Sequence, residues 1–182
     1  MRTSSGNRRT SPLERLFLLF VWGGWLCGAA VPSAAAATGP CVARAENREL
    51  DYWRGTWTVT SPGGPGSSVS KVSLALGDCV VVESWESAGH SGENRFAYSS
   101  DDGGWRGMFA DNEGRVHVFE GQVKGGTAEF RGPSRGPKGE SVLNRIQVTR
   151  VSADRVTQSW EKSMDNGVTW SLAFRGEYSR KK

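Results

Sequence analysis

The sequence predicts an all-β protein, an antiparallel up-and-down β-barrel of about 8–10 strands with a short N-terminal helix. Three observations carry this expectation. From residue 55 onward, short runs of alternating apolar and polar residues recur, each ended by Gly, Asn, Asp, Ser or Pro. The connections between runs are short, which favours antiparallel neighbours. No window carries a helical apolar stripe, apart from room for a turn or two within residues 45–53. Many short strands in one small domain leave a barrel or a sandwich, and closing the meander removes vulnerable strand edges.

Residues 1–37 read as a secretory signal peptide. Arg2, Arg8, Arg9 and Arg15 form a basic head, residues 16–31 (LFLLFVWGGWLCGAAV) an apolar middle, and Pro32, Ser33 and four alanines a small-residue tail. The apolar stretch is short for a ~30 Å hydrocarbon layer, so cleavage after Ala36 or Ala37 is expected and a stable membrane anchor is not. Leu26 and Pro40 precede Cys27 and Cys41, where a lipoprotein cut needs a small residue. The expected location is the periplasm or the exterior.

Residues 38–54 form an N-terminal segment with the short helix, and residues 55–182 the barrel. Thr56-Trp57-Thr58-Val59-Thr60 is the first strand, broken by SPGGPG at residues 61–66. Strands follow over residues 72–76, 79–86, 94–98, 105–110, 116–123 and 127–131, with a loop over residues 87–92. Residues 132–140 (GPSRGPKGE) read as a longer exposed loop. Strands over residues 142–151, 155–162 and 168–178 complete the set.

Removing residues 1–37 takes four basic residues and one acidic one, leaving 19 Lys+Arg against 18 Asp+Glu in the remainder. No excess of positive charge calls for a nucleic-acid partner or an anionic membrane. Of three cysteines, Cys41 and Cys79 remain, and an exported chain with two cysteines invites a disulfide. Its loop would be worth roughly 4 kcal/mol in the chain-entropy model. Two cysteines and two well-separated histidines, His90 and His117, give no zinc pattern, and no metal or cofactor is expected.

Residues 47–58 read NRELDYWRGTWT, with Gly55-Thr56-Trp57 at the start of the first strand. This Gly-x-Trp resembles the signature of lipocalins and their calycin relatives, in which a tryptophan closes one barrel end and an arginine near the last strand packs over it. The resemblance assigns these roles to Trp57 and Arg180, with Arg175 as the alternative arginine. The order LDYWRGTWTV, GDCVVVESWE, a Gly/Asp turn before Trp105-Arg106, and SMDNGVTWSLAFRGEYSRK is similar to an uncharacterised family of exported bacterial proteins with a lipocalin-like barrel. In that family's Phe-Asp-Phe-Trp-x-Gly-x-Trp segment, Asp51, Trp53, Gly55 and Trp57 match, while Leu50 and Tyr52 replace the phenylalanines. Its Gly-Cys-x-x-x-Glu segment keeps Cys79 and Glu83, with Asp78 in place of glycine. The resemblance covers residues 41–180 and implies a fold without an established activity.

Residues 163–170 (SMDNGVTW) match the Asp-box of sialidases and other propellers, which is a hairpin turn: Asp165 bonds turn amides and Trp170 packs beneath. About 145 residues cannot supply a propeller's blades. There is no Gly-x-Ser-x-Gly, His-Glu-x-x-His or phosphate loop. His90 falls in a Gly/Ser loop and reads as a surface residue. His117 points opposite to Val116 and Val118, reads as a solvent-face or satisfied strand residue, and is the one strand histidine placed for an axial haem ligand.

Polar residues on apolar strand faces are the stronger hint. Glu83 shares a face with Val81 and Trp85, Asn144 with Val142, Ile146 and Val148, and Gln158 with Val156 and Trp160. Turned inward, these faces place polar handles among indoles, as in a small-ligand site. A buried carboxylate needs a partner or a raised pKa, and Arg95 and Arg145 are the candidate partners of Glu83. Glu83, Trp85, Asn144, Gln158 and Trp160 are thus the candidate ligand contacts, with no residue assigned a catalytic role. The expected function is an exported binding protein for a small apolar or amphipathic molecule. Two alternatives are an enzyme using Glu83 as acid or base, and an accessory module whose barrel is filled.

Overall fold

The computed structural model describes residues 39–64 and 66–182, so the predicted signal peptide lies outside the described residues. Ten strands close into one antiparallel barrel. They are β1 (Gly55–Thr60), β2 (Ser67–Ala75), β3 (Val80–Ser87), β4 (His90–Ser99), β5 (Gly104–Asp111), β6 (Val116–Lys124), β7 (Thr127–Arg135), β8 (Ser141–Arg150), β9 (Arg155–Ser163) and β10 (Ser171–Arg180). Each pairs with the next, and β10 closes onto β1 in a register that sets Trp57 opposite Arg180. The period-2 alternation sends one face inward, visible in β8 as buried Val142, Asn144, Ile146 and Val148.

β2 begins at Ser67, well ahead of the run expected over residues 72–76, and three further boundaries shift by three residues or more. β4 begins at His90, because the Gly/Ser-rich run pairs with β3 through Glu86–Ser91 and Ser87–His90 instead of looping out. β7 continues through Pro133 to Arg135. Beyond Arg131 it pairs with β8 alone, and a proline is tolerated on such a local edge. β10 starts at Ser171, after the Asp-box turn, and carries a bulge between Leu172 and Phe174.

Residues 45–53, where the short helix is expected, form two 3₁₀ turns instead, Glu46–Arg48 and Asp51–Trp53, and the one α-helical turn, α1 (Pro40–Ala43), precedes them. These turns plug one barrel end. Leu50, Trp53 and Trp57 are fully buried, and Trp57 Nε1 donates to the Trp53 carbonyl at 2.8 Å. The Arg180 guanidinium lies over the Trp57 ring at 4.1 Å and donates to the Arg54 carbonyl at 2.7 Å. Gly55 has φ +131°, and a Cβ there would stand 2.4 Å from the guanidinium, so conformation and space both require glycine. A Cys41–Cys79 disulfide, with Cα atoms 5.0 Å apart, ties α1 to the turn before β3.

Beneath the plug the lumen is solid. Phe96 and Phe130 stack at 4.3 Å, and Phe96 lies across Gly107, where a Cβ would sit 2.5 Å from the ring. On the outside, Asp165 accepts from the Ser163 hydroxyl at 2.7 Å and from the Thr169 amide at 2.8 Å and hydroxyl at 2.6 Å. These bonds hold its pKa down at about 2. The Trp170 indole donates to the Gly167 carbonyl and is covered by Arg145 at 4.1 Å, which makes the Asp-box a structural turn. No helix among the described residues is long and apolar enough to cross a membrane.

Candidate functional site

At the barrel end opposite the plug the lumen opens into a cavity of about 280 Å³. Trp85, Phe109, Trp160 and Phe174 are its apolar walls, Glu83, Asn94, Gln158 and Tyr178 its polar depth, and His90, Asp111, Arg115, His117 and Lys162 further polar lining. Alternation explains who reaches it: Glu83 and Trp85 on β3, Gln158, Trp160 and Lys162 on β9, and Phe174 and Tyr178 on β10 share inward parity.

Glu83 is 1% exposed and bonded by three neutral side chains. The Ser70 hydroxyl donates to Oε1 at 2.7 Å, the Asn94 amide to Oε2 at 2.8 Å, and the Tyr178 hydroxyl lies 3.0 Å from Oε1. Tyr178 also makes a short hydrogen bond with Gln158 Oε1. A phenol has one proton and cannot give it to both oxygens. A proton on Glu83 satisfies the count: Glu83 donates to the Tyr178 oxygen, and Tyr178 donates to Gln158. A reversed Gln158 amide would also satisfy it, but burial favours the first arrangement, because desolvation raises the Glu83 pKa against the downward pull of its hydrogen bonds. Burial and the neighbouring carboxyl raise that of Tyr178 well above its ordinary value. Asn94 Oδ1, also buried, has no partner.

The expected partners of Glu83 are corrected. Arg95 follows inward-facing Asn94 and so points outward, where it donates to Glu93 at 2.7 Å. Arg145 follows inward-facing Asn144, points outward too, and donates to Glu161 at 2.8 Å. His117 is corrected as well: it faces the lumen, while Val116 and Val118 are 59% and 62% exposed. Its parity is legible in the sequence, but the two valines beside it give the wrong face the look of the core. His117 stacks with Phe109 and Phe119. Burial and the charges of Lys162 and Arg115 lower its pKa. His90 is half-buried against Trp85, 3.3 Å from the enclosed carboxylate of Asp111, which also accepts from Arg115 Nε at 2.6 Å.

Of the five ligand contacts expected from the sequence, Glu83, Trp85, Gln158 and Trp160 meet at the cavity. Asn144 stands behind it. Its amide donates to the Gly132 carbonyl at 3.1 Å and the Ser134 hydroxyl at 2.8 Å, and its oxygen accepts from Trp160 Nε1 at 3.0 Å. So held, Trp160 crosses the lumen to meet His117 at 5.0 Å and Phe109 at 5.3 Å, both edge to face. Sequence reasoning missed Ser70, Asn94, Phe109, Lys162, Phe174 and Tyr178. Asn94 and Tyr178 had a signal, since each alternates with an aromatic, Phe96 or Phe174. A larger depression of about 560 Å³ lies on the outer wall, lined mainly by polar side chains such as Lys71, Ser84, Glu86 and Glu93, without such an aromatic enclosure. No cluster of three His, Cys, Asp or Glu among the described residues is arranged to hold a metal.

Comparison with protein-family models and with curated proteins found no match to this chain.

Proposed function

We propose that the protein is an exported, lipocalin-like carrier or sensor that binds a small apolar or amphipathic molecule in the open end of its barrel. The observation that carries this reading is the 280 Å³ cavity walled by Trp85, Phe109, Trp160 and Phe174 above the polar residues Glu83, Gln158 and Tyr178. Aromatic walls with a few converging polar groups are the usual make-up of a small-ligand site. The disulfide supports the export part of the reading, since such bonds persist in oxidising compartments. The binding reading is favoured over acid–base catalysis because both Glu83 oxygens already answer to Ser70, Asn94 and Tyr178. It is favoured over a filled accessory module because the filled part of the lumen stops short of this end.

Native mass spectrometry of the protein purified from its own host, together with titration by the neutral probe N-phenyl-1-naphthylamine, tests this. A stoichiometric adduct, or saturable one-site binding that quenches Trp85 and Trp160, is the expected result. An adduct-free protein that takes up no probe overturns it.

A further inference from the structure

Resting on that ligand-site reading, we infer that the cavity takes a small aromatic carboxylate, its ring between the aromatic walls and its carboxylate held by Lys162 and His117. Size comes first. Ordinary ligand pockets begin near ~300 Å³, and 280 Å³ lies just below that, so the ligand is small and a long acyl chain is excluded. Shape comes next. Trp85, Phe109, Trp160 and Phe174 line the space, and Trp160 is fixed by Asn144, so the walls offer ring faces and edges to a flat guest.

Charge then selects the head group. Six ionisable side chains other than Tyr178 line the cavity: Glu83, His90, Asp111, Arg115, His117 and Lys162. Glu83 is sequestered in its own network. Asp111 is bound by Arg115 and His90, and Arg115 Nη2 turns to Glu113 at 2.9 Å. Lys162 forms no ion pair among the described residues, although it shares the inward face of β9 with Gln158 and Trp160. It is the uncompensated charge of the cavity, and it calls for an anion.

His117 supplies the second contact. Its Nδ1 is buried without a partner, so the proton belongs on Nε2, the nitrogen left accessible. An imidazolium would put an unpaired N–H at buried Nδ1, which is costly. His117 is therefore a neutral donor, near enough to Lys162 to feel its charge. An ammonium and an imidazole N–H together suit the two oxygens of a carboxylate.

The test compares 4-hydroxybenzoate with 4-hydroxybenzamide by calorimetry, on the wild-type protein and on Lys162→Met. Lys162 is exposed, so the fold should tolerate the change, and retained N-phenyl-1-naphthylamine binding verifies that it does. The expected result is a preference for the carboxylate of about tenfold or more in the wild type. Lys162→Met should bring the two affinities within about twofold while leaving that of the amide unchanged, and His117→Phe should weaken the carboxylate selectively. Equal affinities in the wild type, or a preference that survives Lys162→Met, overturn the inference. Binding of the naphthylamine alone overturns it too and leaves the ligand-site reading standing, whereas binding of none of the three probes removes both.

Discussion

Glu83 is the residue on which local chemistry and fold meet. Its pKa in the folded protein is raised by burial from an ordinary 4.5. The native state therefore keeps a proton that the unfolded chain has released, and stability falls as pH climbs from 4.5 through the folded value, the loss being absent below that window. Glu83→Gln should remove this slope. The new amide keeps an acceptor for Ser70, and its N–H meets an acceptor once the Asn94 amide turns to bring Oδ1, which has no partner in the native network, into the place of Nδ2. Urea midpoints of variant and wild type should converge at acid pH and diverge in the variant's favour as pH rises; parallel curves would contradict a carboxyl held neutral by the barrel. The inward direction of Glu83 was readable from Val81 and Trp85 beside it. Its partners were not, because they come from β2, β4 and β10, and only the closed register brings Ser70, Asn94 and Tyr178 around one carboxyl. An arginine was expected on general grounds of charge, yet inward parity on β4 and β8 belongs to Asn94 and Asn144, which excludes Arg95 and Arg145.

Among the elements, the join of the N-terminal plug to β1 was the most legible. Gly55, Trp57 and Arg180 were assigned together, and the β1–β10 register places them in contact. Gly55→Ala should destabilise the fold by about 1–3 kcal/mol through backbone strain, and also push the guanidinium off the indole. Arg180→Met alone should cost about 0.5–2 kcal/mol of cation–π contact. Because both changes strike the same contact, the double variant should lose less than the summed single losses, and a double-mutant cycle in urea measures the coupling. Additive losses would show that Gly55 serves conformation only. Where elements begin and end was less legible. Gly/Ser content marked residues 87–92 as a loop and proline marked residues 132–140 as another, but neighbouring strands recruit part of each into the sheet. Propensity is a local quantity, and pairing partners outvote it.

Across the whole molecule, the two barrel ends are built to opposite rules. The plugged end stacks Leu50, Trp53 and Trp57 under Arg180 and fastens its own lead-in by Cys41–Cys79, with Arg48 reaching the Asp78 carbonyl at 2.6 Å. The open end has its indoles held one by one, Trp160 by Asn144 and Trp85 by the Ser68 hydroxyl at 2.8 Å, around space left for a guest. This asymmetry makes the disulfide a test of whether the ends act independently. With its cysteines separated by 38 positions in sequence, the bond should contribute up to about 4 kcal/mol by restricting the unfolded chain. Cys41→Ser/Cys79→Ser should lower the urea midpoint accordingly. In the native state the effect should stay at the plug: indole N–H exchange at Trp57 should speed up, while that at Trp85 and Trp160, and the affinity for N-phenyl-1-naphthylamine, should be unchanged. Faster exchange at both ends together would mean that the stacked Phe96–Phe130 layer transmits the loosening, and that the mouth owes its shape to the plug.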